Sequence, residues 1–221
     1  MKLPKLKYVY EQQWLVERCV GKRVLHLGCA GDATLRGGIN ASLHAQVHKV
    51  AKSLSGVELS ESSLTELKTF LPEDMTNKYF TGDVQDLESC GVVGRFDVIL
   101  AGSIIEHLSN AGSMIRSARS FLEKGGIMLI STPHTWGVLE FLRVAMKKVE
   151  AVHPEHTCWY SIPTLSHLMA RYGFVPVEWA TGYGWQQETV RWKLQKSIGI
   201  PVFKLLPHLG GSLLAAFRVE E

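Results

Sequence analysis

The residues of this chain best able to do chemistry stand at the ends of short apolar runs. Residues 24–33 read VLHLGCAGDA, an apolar run closed by Gly28-Cys29-Ala30-Gly31. Glycine there lets the backbone bend tightly and approach a ligand with no Cβ in the way. As a dinucleotide fingerprint the turn is poor, since G-x-G-x-x-G needs glycines where this chain has Ala30 and Ala33. Further on, Glu58 follows the apolar part of SGVEL. An acid in that place accepts hydrogen bonds from both hydroxyls of a ribose, or simply stands solvated at a strand end. Gly82-Asp83-Val84 sets a carboxylate beside a backbone amide, a pair able to read the amino edge of an adenine. Ala101, Gly102 and Ser103 are small and leave room for a ligand.

Histidine is the side chain best suited to take a proton near neutral pH. His107 follows FDVILAG, His134 follows GIMLIST, and His153 and His156 lie in HPEHTCWYS with Trp159 and Tyr160. His156, in that aromatic loop, is the first candidate for a general base and His107 the second. His107 serves a helix-leading turn equally well, and His134 is placed either to meet a substrate or to satisfy a loop carbonyl. The H-x-x-H spacing of His153 and His156 suits two metal ligands, but no third ligand is close in sequence, so no metal is assigned. His44 and His48 share one helix face and read as surface or half-buried residues.

The elements that must position these groups alternate along the chain. Strands are predicted at 23–27, 55–59, 78–83, 96–102, 126–132, 174–180 and 212–219. Helices are predicted over 1–20, over 41–54, from the Ser60 cap to Pro72, over 110–123 with Gly125 as cap, and over 136–150. This alternation implies right-handed βαβ units and a Rossmann-like, doubly wound parallel sheet in one domain, with ligands outside the carboxyl ends of the strands. Segments 134–165 and 182–211 are read as acceptor-side insertions. In the helix at 136–150, Val138, Phe141, Leu142, Ala145, Met146 and Val149 form an apolar stripe expected to pack on the domain. The sharper alternative is a lid that meets a lipid-linked substrate or membrane surface through Arg143, Lys147 and Lys148.

Composition bounds the partners. With 221 residues, 46% hydrophobic, 20% charged and a formal charge of +3, the chain is an ordinary globular one without a basic stripe, so no nucleic-acid partner is expected. Cys19, Cys29, Cys90 and Cys158 are scattered and read as reduced thiols of a cytoplasmic protein. The N-terminus lacks the apolar core of a signal peptide, and no apolar stretch reaches the ~18–20 residues that span a bilayer. Stable membrane insertion is therefore not expected, and peripheral contact stays open.

Taken in order, VLHLGCAGD, GVELSESSL, TGDVQDL, FDVILAGSIIEHLSN and LEKGGIMLISTPH resemble the class I S-adenosylmethionine-dependent methyltransferases over about residues 20–180. They are most similar to the small members found with polysaccharide and natural-product biosynthesis. The resemblance implies a seven-stranded sheet whose last strand is antiparallel, and S-adenosylmethionine as cofactor. Gly28, Cys29, Ala30 and Gly31 would hold its methionine part, Glu58 and Leu59 its ribose, and Asp83 and Val84 its adenine, with Ala101, Gly102 and Ser103 completing the pocket. His134, Trp159 and Tyr160 would face a small-molecule or saccharide acceptor, most simply methylated at oxygen. Two positions depart from the family's acid-x-Gly-x-Gly-x-Gly pattern: His26 stands for the acid and Ala30 for a glycine. A neutral imidazole at His26 accepts a hydrogen bond, whereas a protonated one repels the cofactor's ammonium. That departure favours a competing reading, a non-catalytic partner or scaffold; Glu58, Asp83 and the aromatic loop oppose it. A nicotinamide-dependent reductase lacks the glycine spacing it needs.

Overall fold

The computed structural model describes residues 2–31, 42–71, 78–150, 152–183 and 201–220. Eight strands form one sheet: β1 (Lys7–Tyr10), β2 (Arg23–Leu27), β3 (Ser53–Glu58), β4 (Tyr79–Thr81), β5 (Phe96–Gly102), β6 (Leu122–Pro133), β7 (Phe174–Tyr183) and β8 (Ser212–Val219). Their order is β1-β7-β8-β6-β5-β2-β3-β4, and only β8 runs antiparallel to its neighbours. The α/β doubly wound fold is as expected, with eight strands in place of seven. The extra strand is β1, where a wholly helical N-terminus was predicted. Tyr8, Val9 and Tyr10 have the aromatic and β-branched side chains that suit a strand, and they pair in parallel with Thr181, Gly182 and Tyr183.

The helices among the described residues include α1 (Glu11–Glu17), α2 (Leu43–Val50), α3 (Glu61–Lys68), α4 (Ala111–Phe121), α5 (Val138–Lys147) and α6 (Ile162–Ala170). Alternation along the strands divides the core between two faces. Leu25, Leu27, Ile99 and Ile130 pack with Met114, Ile115 and Phe121 of α4 and Leu165 of α6. Val24, Leu54, Val98 and Leu100 pack with Trp14 and Leu15 of α1 and Val47 of α2. Ser60 caps α3 as predicted, its Oγ accepting from the Ser63 amide at 3.2 Å, and Ser161 with Thr164 forms a reciprocal capping box on α6.

One prediction about packing fails. Helix α5 buries none of its residues: Phe141 is 69% exposed and Met146 72%, with Leu139 and Leu142 also on the surface. Its apolar stripe does not lie on the domain. Across the described residues, no helix is long and apolar enough to cross a membrane. Most of the proposed insertion at 182–211 lies outside the described residues; what is described there includes helical residues 201–205 and a short turn, Pro207–Leu209.

Candidate active site

The sheet order makes the sequence's strand-end residues neighbours in space. β5, β2, β3 and β4 are adjacent and parallel, so the segments after them form one continuous rim. Gly28 opens the first segment at φ 68°, a left-handed conformation that disfavours any side chain, and a Cβ there would stand 2.7 Å from Ile104 Cδ1. Among the described residues, a Cβ at Gly31 would meet only the Gly28 carbonyl, at 3.9 Å. Cys29 and Ala30 are buried beneath the turn with Leu64, Leu67 and Tyr79, so the methyl group at Ala30 is accommodated by the core.

Glu58 ties this turn to the next strand end. Its Oε2 accepts from the Ala30 amide at 3.0 Å and its Oε1 from the Ser60 amide at 3.2 Å. Each carboxylate oxygen keeps lone-pair capacity for a ligand hydroxyl. Leu59 beside it is 71% exposed, an apolar side chain presented at the rim. Asp83 is exposed and holds Gln85 through both oxygens, to the amide and to Nε2, each at 2.9 Å. Val84 turns its side chain into the core. Gly102 lies under Leu43 of α2, and Ser103 adopts φ 49° with its amide donating to the Ser131 carbonyl at 2.9 Å.

His26 does not enter this rim. It shares the strand face of Val24, and its ring stacks on His44 of α2 with Nδ1 to Nδ1 at 3.0 Å; His44 Nε2 lies 2.9 Å from the Tyr79 hydroxyl. The sequence reading of His44 as surface or half-buried is thus corrected: it is 1% exposed. Burial pushes His26 down to about 4 and His44 well below the ordinary imidazole range. Two neutral rings satisfy the chain, one Nδ1 donating and the other accepting. Neither of these two rings is positively charged near neutral pH to repel a cationic ligand.

The histidines of the acceptor side fall into two groups. His134 is buried, its Nδ1 within 3.0 Å of the Gly210 carbonyl, and residues 134 and 160 form a parallel bridge. This is the loop-fastening alternative. Tyr160 is likewise in the core, while Trp159 is half-buried. His107, in a short turn Ile105–His107 after β5, meets the other two: its ring centroid is 4.6 Å from His156 and 5.5 Å from His153. His156 Nδ1 is shut off from solvent and has no hydrogen-bond partner among the described residues. Burial and the neighbouring rings push His107 and His156 below their ordinary value, so both stay neutral bases.

Residues 13–178 match the signature of the family described as "Methyltransferase domain". The chain belongs to the S-adenosylmethionine-dependent methyltransferases. Solved structures share the fold. An S-adenosylmethionine-dependent methyltransferase of Mesorhizobium loti has a TM-score of 0.57 at 17% identity, covering 94% of this chain and 95% of that one. The magnesium protoporphyrin IX methyltransferase of Synechocystis, with bound S-adenosylhomocysteine, has a TM-score of 0.59 at 15% identity, covering 96% of this chain and 80% of that one. Among curated relatives, the ubiquinone biosynthesis O-methyltransferase of Coxiella burnetii strain RSA 493 is 29% identical over 129 residues, 58% of this chain and 49% of that protein. Its counterpart in Azorhizobium caulinodans is 26% identical over 113 residues, 51% of this chain and 40% of that protein. The matches cover about half the length of these relatives or less.

Two features of this methyltransferase were not legible as site residues in its sequence. Glu106 is almost fully buried, accepts from the Thr132 hydroxyl at 2.9 Å, and is pushed up to about 7 by burial, with the Glu11 carboxyl adding to the effect. Glu11, at the start of α1, is raised for the same reason, and the Ser131 and Ser212 hydroxyls oppose the rise. In the sequence Glu106 reads with His107 as part of a helix-leading turn; only β5, β6 and α1 meeting at one sheet end set it near Glu11. The second feature is an aromatic wall: Tyr8 stacks on Phe203 at 5.1 Å and meets Tyr183 at 5.5 Å, and Tyr183 meets Tyr10 at 5.4 Å. A cavity of about 510 Å³ next to this wall is lined by Lys5, Leu6, Lys204 and His208, and no residue of the glycine turn or of the Glu58 rim lines it.

Proposed function

We propose that this methyltransferase transfers a methyl group from S-adenosylmethionine to an oxygen of a small molecule or saccharide in the cytoplasm. The observation that carries the reading is the rim: the glycine turn, the Glu58 carboxylate, Asp83 with Val84, and Ala101-Gly102-Ser103 all stand at the ends of adjacent strands on one side of the sheet. S-adenosylmethionine supplies an electrophilic methyl group on a sulfonium centre. Gly28 to Gly31 cradle its methionine part, Glu58 and Leu59 its ribose, and Asp83 with the Val84 amide its adenine. With His26 neutral and turned into α2, the departure at that position does not oppose this binding.

On the acceptor side, His107 and His156 lie in contact beyond the Gly102 strand end, with Trp159 close by in sequence. With the cofactor bound, this imidazole group would take the proton of the acceptor hydroxyl as the methyl group passes from the sulfonium to that oxygen, the cofactor leaving as a neutral thioether. Positioning in line and exclusion of water are the remaining demands of the displacement. Oxygen as the target is supported by the O-methyltransferase relatives. Isothermal titration with S-adenosylmethionine and S-adenosylhomocysteine tests the cofactor half, and saturable binding is expected. No heat of binding at millimolar ligand would overturn it. Labelled-methyl transfer to a panel of phenols, saccharides and amines tests the acceptor, with incorporation expected at hydroxyl compounds. Incorporation confined to amines would refute the oxygen assignment.

A further inference from the structure

We propose that His107, His153 and His156 form a site for one divalent transition-metal ion of the zinc class. One ring nitrogen from each lies within 4.8 Å of the others, and the pairwise ring centroids are 4.6, 5.5 and 5.6 Å apart. The H-x-x-H pair supplies two ligands, and the turn after β5 supplies the third that the linear sequence lacks. Imidazole nitrogens bind zinc at ~2.0–2.1 Å, which sets them about 3.3 Å apart in a tetrahedral shell, so each ring closes by about 1 Å.

The arrangement is held by bonds that do not depend on an ion. The His156 amide donates to the His153 carbonyl at 3.0 Å, making the turn that carries both rings. The Thr157 amide donates to the Glu106 carbonyl at 2.8 Å, and the Thr157 hydroxyl lies 3.0 Å from the carbonyls of both Glu106 and Leu108. The loop is thus fastened on both sides of His107. Glu155 Oε2 stands 3.6 Å from His107 Nδ1, a carboxylate placed to orient the ring and leave Nε2 for a metal. His156 brings a nitrogen that is secluded and unpartnered, so ligation there breaks nothing. His153 Nδ1 accepts a long bond from the Glu155 amide, 3.4 Å.

Three imidazoles leave a fourth position open, and a ligand bound there is acidified by the ion. If the acceptor oxygen takes that position, the ion replaces a lone ring as the means of deprotonation. This last step rests on the methyl-transfer reading; the binding of the ion does not.

The test is titration of the chelator-stripped full chain with Co²⁺, followed by visible absorption and by calorimetry, with Zn²⁺ as competitor. One equivalent of Co²⁺ should bind, giving the intense visible bands of four-coordinate cobalt, which Zn²⁺ abolishes. His153→Ala and His156→Ala should each weaken binding at least about tenfold, while His167→Ala and Cys158→Ser leave it unchanged. Absence of one-to-one binding in the wild-type chain, or equal affinity in the His153 and His156 variants, overturns the site. Circular dichroism and S-adenosylmethionine titration of the same samples separate the two readings. Cofactor binding without metal binding refutes the metal site alone; metal binding without cofactor binding refutes the methyl-transfer reading alone.

Discussion

Lowering the pH should destabilise this protein through His26, by about 2–3 kcal/mol. His26 is buried with its ring against His44, and burial holds it down to about 4 against an ordinary value of 6.5. Between those limits the unfolded chain binds a proton that the folded chain refuses. Stability therefore rises with pH through the window and is lost as pH falls from about 6.5 to about 4. At ~1.4 kcal/mol per pH unit the whole window is worth about 3 kcal/mol, and descent from pH 7 to pH 5 costs roughly 2 kcal/mol. His44, also depressed, adds loss of the same sign. The clean comparison is His26→Gln, whose amide still offers His44 a donor and an acceptor but does not titrate. The variant should be less stable at pH 7 by about 1 kcal/mol for the imperfect replacement. It should then lose about 2 kcal/mol less than wild type between pH 7 and pH 5, equivalent to ~4–8 °C in Tm for a domain of this size. Urea unfolding of both chains at half-unit steps of pH measures it directly. Parallel curves for the two proteins would refute the assignment of a buried neutral imidazole at this position.

The remaining predictions concern the rim and the surface. Glu58→Ala removes the acceptor for the Ala30 and Ser60 amides, so it should cost about 1–3 kcal/mol in unfolding experiments. It should also weaken S-adenosylmethionine at least about tenfold by calorimetry; unchanged affinity would take Glu58 out of the ribose site. Gly28→Ala combines φ 68° with a clash against Ile104 and should lower stability by about 1–3 kcal/mol, and a Tm equal to wild type would contradict the turn geometry. Phe141→Ser in α5 should change unfolding free energy by less than about 0.5 kcal/mol, because the side chain contributes nothing to the core. A loss near 2 kcal/mol would show that this face is covered in solution.

Much of the fold was legible because its signals are local. The strands at 23–27, 96–102 and 212–219 are bounded by glycine, charge and apolar alternation, and they occupy those residues in the structure. Ser60 and Gly173 mark the start of α3 and the end of the α6 turn, as helix chemistry requires. What escaped depends on distance along the chain. β1 forms because Tyr8 to Tyr10 find an open edge on β7, and nothing in the short stretch itself announces that edge. The stripe on α5 has the periodicity of a packed helix, but periodicity specifies one apolar face and not whether another element covers it. His26 and His44 each look like a lone polar residue, and their burial becomes acceptable only once strand and helix bring two rings to 3.0 Å.

The same logic separates what each strand end contributes. At Glu58 one carboxylate serves the fold and the proposed ligand together, since the bonds that hold the turn shut are those that aim its oxygens at the rim. Substituting it will therefore always mix lost stability with lost binding. At His156 the two are separated: its Nδ1 holds no partner in the fold, and Thr157, not the ring, fastens the loop. A buried polar atom with no structural task costs free energy unless something binds it. His156 is accordingly where a substitution can change chemistry while leaving the fold intact, and Glu58 is where it cannot.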